Sequence, residues 1–261
     1  MIAERRPDRA LGEHVLRYCA YEEITGAPTR QREPISTSVV LIFGLDTFLG
    51  VDGERLQTFV GGLGDRCQWI EHDGSMAGVQ VDVTPIAARL LLGVPMRELA
   101  RTSVPLEDVL GAQARELEER LHEATSWDDR FGLIERALAP RLSAADLPPP
   151  DVRWAWARLA ATHGRATVAE LTSSLGCSRK HLAARFREYV GLPPKAIARL
   201  TRFRRAAELL VSPAGPSLDE VAYACGYYDQ SHLDRDFREF AAATPTAFRR
   251  DPREVTFFQD A

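Results

Sequence analysis

Hydrophobic positions change their rhythm along this chain. Between residues 35 and 83 they come in short runs: 35–43, 47–51, 57–60, 67–71 and 78–83 read as strands, separated by turns such as Asp52-Gly53 and Asp73-Gly74. From Thr84 the period lengthens. Thr84 can cap a helix with Pro85 in its first position, and 86–92 continues it. Across 106–124, Leu106, Val109, Leu110, Gln113, Leu117 and Leu121 fall near one face; across 127–142, Phe131, Ile134, Leu138 and Leu142 do the same. The pattern predicts an α+β N-terminal domain, a small mostly antiparallel sheet plus helices.

The rhythm breaks at Leu147-Pro148-Pro149-Pro150-Asp151, because three consecutive prolines cannot continue a helix. After it every segment reads as helix. The expected organisation is a domain at 1–146, a proline-rich linker at 147–151, an all-α domain at 152–253 and a tail at 254–261. A length of 261 residues suits two domains.

Charge sharpens this division. The net charge is −4, which looks unsuited to a nucleic-acid binder. Yet residues 1–151 hold 16 Arg against 25 Asp and Glu, while 152–253 hold 17 Arg and Lys against 10 acids. A basic module is joined to an acidic one, and phosphate neutralisation needs only local positive charge.

The basic half contains a repeat. Thr167, Glu170 and Gly176 match Ser217, Glu220 and Gly226; after one inserted residue, Leu182, Phe186, Arg187, Glu188 and Pro194 match Leu233, Phe237, Arg238, Glu239 and Pro245. Each copy opens with a capping box and ends its first helix at a glycine suited to a left-handed backbone. In the second helix a leucine and a phenylalanine four apart make one buried face, and the other face is open to a groove. This is the plan of a helix-turn-helix, at about 167–188 and 217–239.

The segment from Val152 to Arg250 resembles the DNA-binding domain of the AraC/XylS family of transcriptional regulators. Ala224-Cys225-Gly226-Tyr227, then Gln230, Leu233, Arg235, Phe237 and Arg238, then Thr244-Pro245 and Phe248-Arg249 carry the likeness. The resemblance implies seven helices in two subdomains, joined by a long helix over roughly 194–211. It implies base-facing positions at Arg179, Lys180, Ala183 and Ala184 in the first unit, and at Gln230, Ser231, Asp234 and Arg235 in the second. Arginines there suit guanine and Gln230 suits adenine. Arg187 and Arg238, near the helix ends, are assigned to phosphate. His181 and His232 align and are expected to pack or bind backbone rather than read bases. Asp229 is expected as an N-cap, and Asp234 either pairs with Arg238 or accepts from cytosine.

The N-terminal half is unlike the arabinose-sensing cupin of that family. It resembles uncharacterised domains on other members, through Gly78-Val79-Gln80-Val81-Asp82-Val83-Thr84-Pro85, Leu91-Leu92-Gly93-Val94-Pro95 and Val104-Pro105-Leu106. Cys67, Trp69 and Glu71 would share one strand face and are the candidate wall of an effector pocket. The helices 106–124 and 127–142 are either core or a dimer interface. Four cysteines without zinc spacing read as reduced, buried thiols. No nucleophile elbow, phosphate loop or metal motif occurs, so no enzyme and no cofactor is expected. No apolar run approaches the ~20 residues a bilayer needs, and no signal peptide is read, so the expected place is the cytoplasm. The expected partner is double-stranded promoter or operator DNA; RNA polymerase, a small-molecule effector and a second copy are the further partners this reading admits.

Overall fold

The computed structural model describes residues 2–8, 11–33, 35–144, 147–213 and 215–250, so the tail 254–261 lies outside it. The N-terminal domain contains β1 (Ile2–Arg5), β2 (Val15–Ile24), β3 (Thr29–Glu33), β4 (Val39–Gly44), β5 (Leu49–Val51), β6 (Glu54–Leu56), β7 (Thr58–Gly61), β8 (Gln68–His72), β9 (Ser75–Val83) and β10 (Ser103–Pro105). They make two antiparallel sheets, in the orders β1-β2-β9-β4-β7-β10 and β3-β8-β5-β6. The strand pattern had suggested one sheet and had not included β1, β2, β3, β6 or β10.

The physical reason lies in what covers each face. Val39, Leu41 and Phe43 of β4, with Tyr18, Val60, Val79 and Val81, face the main core. The alternate positions Tyr21, Ile42 and Phe59 pack against Leu49, Val51 and Leu56 of the second sheet. The first sheet is covered on both sides, so β4 is a continuous apolar run and β2 buries Tyr18, Cys19, Ala20 and Tyr21 in succession. Such strands lose the two-residue alternation that marks a half-buried sheet. β3 is missed for the opposite reason: Thr-Arg-Gln-Arg-Glu is an edge strand with no apolar residue.

Helices cover the remaining side. In α1 (Pro85–Leu92), Thr84 Oγ1 accepts from the Ala87 amide at 3.1 Å and Pro85 opens the first turn, as expected. There follow α2 (Met96–Leu99), α3 (Leu106–Leu110), α4 (Ala112–Glu123) and α5 (Trp127–Ala144). The helix predicted over 106–124 is broken between α3 and α4 by Gly111, at φ +60°. Leu106, Leu117, Leu121, Phe131, Ile134 and Leu138 are all buried in this chain's own core, whereas Gln113 is exposed and accepts from Arg141.

The C-terminal domain runs α6 (Pro150–Ala161), α7 (Val168–Leu175), α8 (Arg179–Tyr189), α9 (Pro194–Val211), α10 (Leu218–Cys225), α11 (Gln230–Phe240) and α12 (Pro245–Arg250). Pro150 stands in the first turn of α6, inside the stretch read as linker, where its missing amide donor is not needed. Both capping boxes form, and Gly176 and Gly226 end α7 and α10 at φ +62° and +75°. The two helix pairs hang on α9. Phe203 of α9 meets Phe237 edge-on at 4.8 Å and Phe240 at 5.4 Å, and Phe237 meets Phe248 of α12 at 5.3 Å.

One ion pair fixes α11 to that axle. Asp236 is fully buried and takes Arg199 Nη2 at 2.7 Å, while Arg199 also reaches Glu239 at 2.7 Å and lies 4.7 Å over the Phe240 ring. Removing one partner of such a pair strands the other in low dielectric. Arg199→Met therefore destabilises the fold by about 3 kcal/mol in urea unfolding, although it shortens no apolar contact. A loss within error of wild type would show that water reaches Asp236.

Candidate DNA-contacting surface

In the first unit Ser178 caps α8, its side chain accepting from the His181 amide at 3.1 Å. In the second, Asp229 caps α11, accepting from the His232 amide at 2.8 Å. The inserted residue of the repeat is therefore taken up in the turn before α11, which leaves the two helices equivalent. Leu182 and Phe186, and Leu233 and Phe237, are buried. Because these set the inner face, Arg179, Lys180, Ala184 and Arg187 stand exposed on α8, and Gln230, Ser231, Arg235 and Arg238 on α11. Ala183 and Asp234 are half-buried at the edges of those faces.

The two faces differ in what their charges are doing. Glu188 is the one acid within α8 and is ion-paired with Arg97 of α2. Among the described residues Arg179, Lys180 and Arg187 have no acidic partner. Arg185 instead turns in to Asp151 at 3.1 Å, which helps hold the Asp151 carboxyl below its usual range despite partial burial. On α11 the acids are occupied internally: Asp229 caps, Asp236 holds Arg199, and Asp234 takes Arg238 Nε at 2.7 Å. Arg238 thus begins with a protein partner, and Arg235 is the α11 cation without one among the described residues. The aligned histidines serve their own units: His181 Nε2 lies 3.6 Å from Asp151, and the His232 ring meets Tyr227 edge-on at 5.2 Å.

Two aromatic residues escaped the sequence reading. Tyr228, in the turn before α11, is 94% exposed, and Tyr223 on α10 is 87% exposed. Large rings left this open beside a recognition helix are contact candidates. Their signal was the pair Tyr227-Tyr228, of which only Tyr227 is needed for the core.

The N-terminal domain grips both units away from these faces. Arg89 of α1 lies 5.7 Å over the Tyr189 ring at the end of α8. At the end of α11, the Ile35 amide donates to Phe240 O at 3.3 Å, the Cys67 amide to Glu239 O at 3.4 Å, and Arg32 Nη1 to Ala242 O at 2.8 Å.

The candidate effector residues Cys67, Trp69 and Glu71 stand near one another but do not line the cavity between the sheets. Arg30 and Arg32 lie 4.2 Å and 5.0 Å over Trp69, and Glu71 pairs with Arg30 at 2.9 Å. The cavity takes Gln68 and Ile70, the intervening positions of the same strand, together with Glu33 and Gln31 of β3. Of the cysteines, Cys19 and Cys225 are buried, Cys67 and Cys177 are half-buried, and all four are free. Burial pushes the Cys225 thiol up to about 11, which disfavours the reactive thiolate.

Residues 171–251 match the family model described as a helix-turn-helix domain. Over 86 residues the chain is 35% identical to an AraC-like transcription regulator of Streptomyces antibioticus; the match covers 33% of this chain and 28% of that protein. The C-terminal part of this chain is an AraC-type helix-turn-helix domain. Among solved structures, the C-terminal domain of AraT, a response regulator from Geobacillus stearothermophilus, is 23% identical, with a TM-score of 0.38 over 44% of this chain and 95% of that one. ToxT from Vibrio cholerae is 10% identical, with a TM-score of 0.46 over 92% of this chain and 98% of that one.

The uneven charge of the two AraC-type units generates a prediction. Arg179→Ala lowers DNA affinity more, and flattens its salt dependence more, than Arg235→Ala, each costing about 1–3 kcal/mol in a binding series across salt. An equal or larger effect for Arg235→Ala would reverse the assignment.

Proposed function

We propose that the protein is a sequence-specific DNA-binding transcription regulator of the AraC/XylS type, acting on promoter or operator DNA in the cytoplasm and modulated through its N-terminal domain. The observation that carries the first part is the pair of capped helices, each with a buried inner face and an exposed basic or polar outer one. Arg179 and Lys180 read the first groove, Gln230 and Arg235 the second, and Ala183, Ala184 and Ser231 let the backbone come close. Arg187 and Arg238 bind phosphate, Arg238 sharing its charge with Asp234. The two units are joined by α9, whose 18 residues at about 1.5 Å each make it roughly 27 Å long. A footprint of the full chain on a selected operator covers two adjacent major-groove segments on one face of the duplex. Binding that is equally tight on unrelated DNA would overturn this reading.

A small molecule is the modulator this structure favours over dimerisation through the helical stripes. Those stripes are spent on the chain's own core, whereas a lined cavity lies between the sheets. The strands lining it, β3 and β8, run on to the donors that meet the last turn of α11. A ligand that fits one spacing of these strands better than another would shift the setting of α11 by its difference in affinity. Arg32→Ala removes the side-chain bond to Ala242 O and touches neither recognition face. It changes operator affinity by about two- to tenfold, the worth of one hydrogen bond. An unchanged affinity would remove this contact from the coupling.

A further inference from the structure

The cavity between the two sheets measures about 90 Å³, room for roughly six waters or one small organic molecule. Most of its wall is apolar, from residues such as Ile42, Phe59 and Ile70. Of the polar groups on that wall, Gln80 donates to Asp82, Gln31, Gln68 and Ser103 stand open to the cavity as neutral groups, and two others bear on what could enter it. Tyr21 is buried, and its hydroxyl makes no hydrogen bond. Glu33 is half-buried and lines the cavity, and its carboxyl has no hydrogen bond or ion pair among the described residues. A buried polar group without a partner is costly, and a carboxyl is the costliest kind here to ionise without one.

We propose that this cavity binds a compact, mostly apolar organic cation of the short-chain primary amine class, with its ammonium group on the Glu33 carboxylate and its carbons against the apolar wall. This rests on the reading that the N-terminal domain senses a small molecule, and it names that molecule's chemistry.

The charges around Glu33 support a cation over an acid. Burial and the neighbouring Asp82 of β9 push the Glu33 carboxyl up to about 8, and Arg17 of β2 offsets only part of this. Arg17 is itself bound to Asp82 and lies 3.8 Å from Glu4. Tyr21 of β2 and Cys67, just before β8, are raised by burial and stay neutral, while Arg32, next to Glu33 in β3, does not line the cavity but lies over Trp69 and binds Ala242 O. Among the described residues no Lys, Arg or His lines the cavity. An anionic ligand would meet the Glu33 carboxyl with no cation on the wall among the described residues, and a neutral one could hydrogen-bond Glu33 only in its protonated form, without supplying a counter-charge. An ammonium ion ionises Glu33, releases its proton to solvent and removes the deficit.

The site also stands where a signal would start. Glu33 pairs with Gln68 across the β3–β8 ladder, at its end. One residue before Gln68 is Cys67, and two after Glu33 is Ile35, the donors to Glu239 O and Phe240 O of α11.

The test titrates the full chain with n-butylamine, 1-butanol and butyrate, matched in size, by calorimetry at pH 6, 7 and 8, and measures operator binding with and without each. The expected result is that butylammonium binds, with affinity rising about tenfold or more from pH 6 to pH 8 as Glu33 becomes easier to ionise, and with release of a proton. Glu33→Gln, which keeps the size of the side chain, lowers that affinity at least tenfold at pH 8 and flattens its pH dependence. The proposal is overturned if butylammonium does not bind, if 1-butanol or butyrate binds as tightly, or if Glu33→Gln leaves the amine's affinity unchanged. Amine binding that leaves operator affinity unaltered would overturn the sensor reading while the ligand class stands. A neutral or anionic probe that binds and shifts operator affinity would do the reverse. The free protein gives a second readout. A carboxyl raised in the folded state contributes stability that is full below its unfolded pKa and lost as pH climbs towards 8. Wild type therefore loses stability between about pH 5 and pH 8 relative to Glu33→Gln, and a flat difference would place Glu33 in contact with bulk water.

Discussion

The last turn of an α-helix leaves carbonyls that the helix cannot satisfy, and in α11 those of Glu239 and Phe240 are taken by amides of the other domain. Much else in the molecule depends on that arrangement. Ordinarily such carbonyls turn to water or to a following glycine. Here Cys67 and Ile35 supply the donors, and Arg32 reaches Ala242 just beyond. The end of the helix that carries Gln230 and Arg235 is held by residues that flank the strands lining the cavity. The two domains share hydrogen bonds as well as core.

The scale of those bonds sets what they can do. Each is worth about 0.5–1.5 kcal/mol net, and two or three together match the 1–3 kcal/mol typical of coupling between sites. A stronger clamp would fix α11 whatever occupied the cavity, and a weaker one would leave the two indifferent. The grip on α8 is of another kind: Arg97 neutralises Glu188, and Arg89 lies over Tyr189. That contact uses charge and ring faces at the surface, away from the cavity. The first unit is therefore tethered without a line to the sheets, and the second has one.

How much of this was legible in the sequence depends on whether a local rule decided the outcome. The capping boxes at Thr167 and Ser217 and the glycines at 176 and 226 each act within a few residues, so the second domain could be read from them. The same holds for Thr84 and Pro85. The first domain was less legible because its first sheet is covered on both faces, which erases alternation in β2 and β4. The strand holding Trp69 was recognised, but a single strand does not say which side faces the cavity. Trp69 and Glu71 are satisfied on the outer side by Arg30, which lies on a strand the pattern had missed. Glu33 closes that same missed strand. Its environment is made by Asp82 and Arg17, far away in sequence, so nothing local to Thr-Arg-Gln-Arg-Glu marks it.

The aspartates of α11 illustrate the same limit. In sequence they look like a handicap for a helix meant to approach phosphate. In the structure each has a structural use: Asp229 begins the helix, Asp236 ties it to α9, and Asp234 steadies Arg238. Their cost to DNA affinity is therefore smaller than three exposed negative charges would impose, because Asp236 is buried and neutralised. What remains is an α11 face dominated by Gln230, Ser231 and Arg235, suited to discriminating bases more than to raw attraction. The α8 face, with Arg179, Lys180 and Arg187, is suited to attraction. On the proposed reading, a regulator divided in this way would hold DNA through one unit while the other, joined by hydrogen bonds to the N-terminal domain, is adjusted.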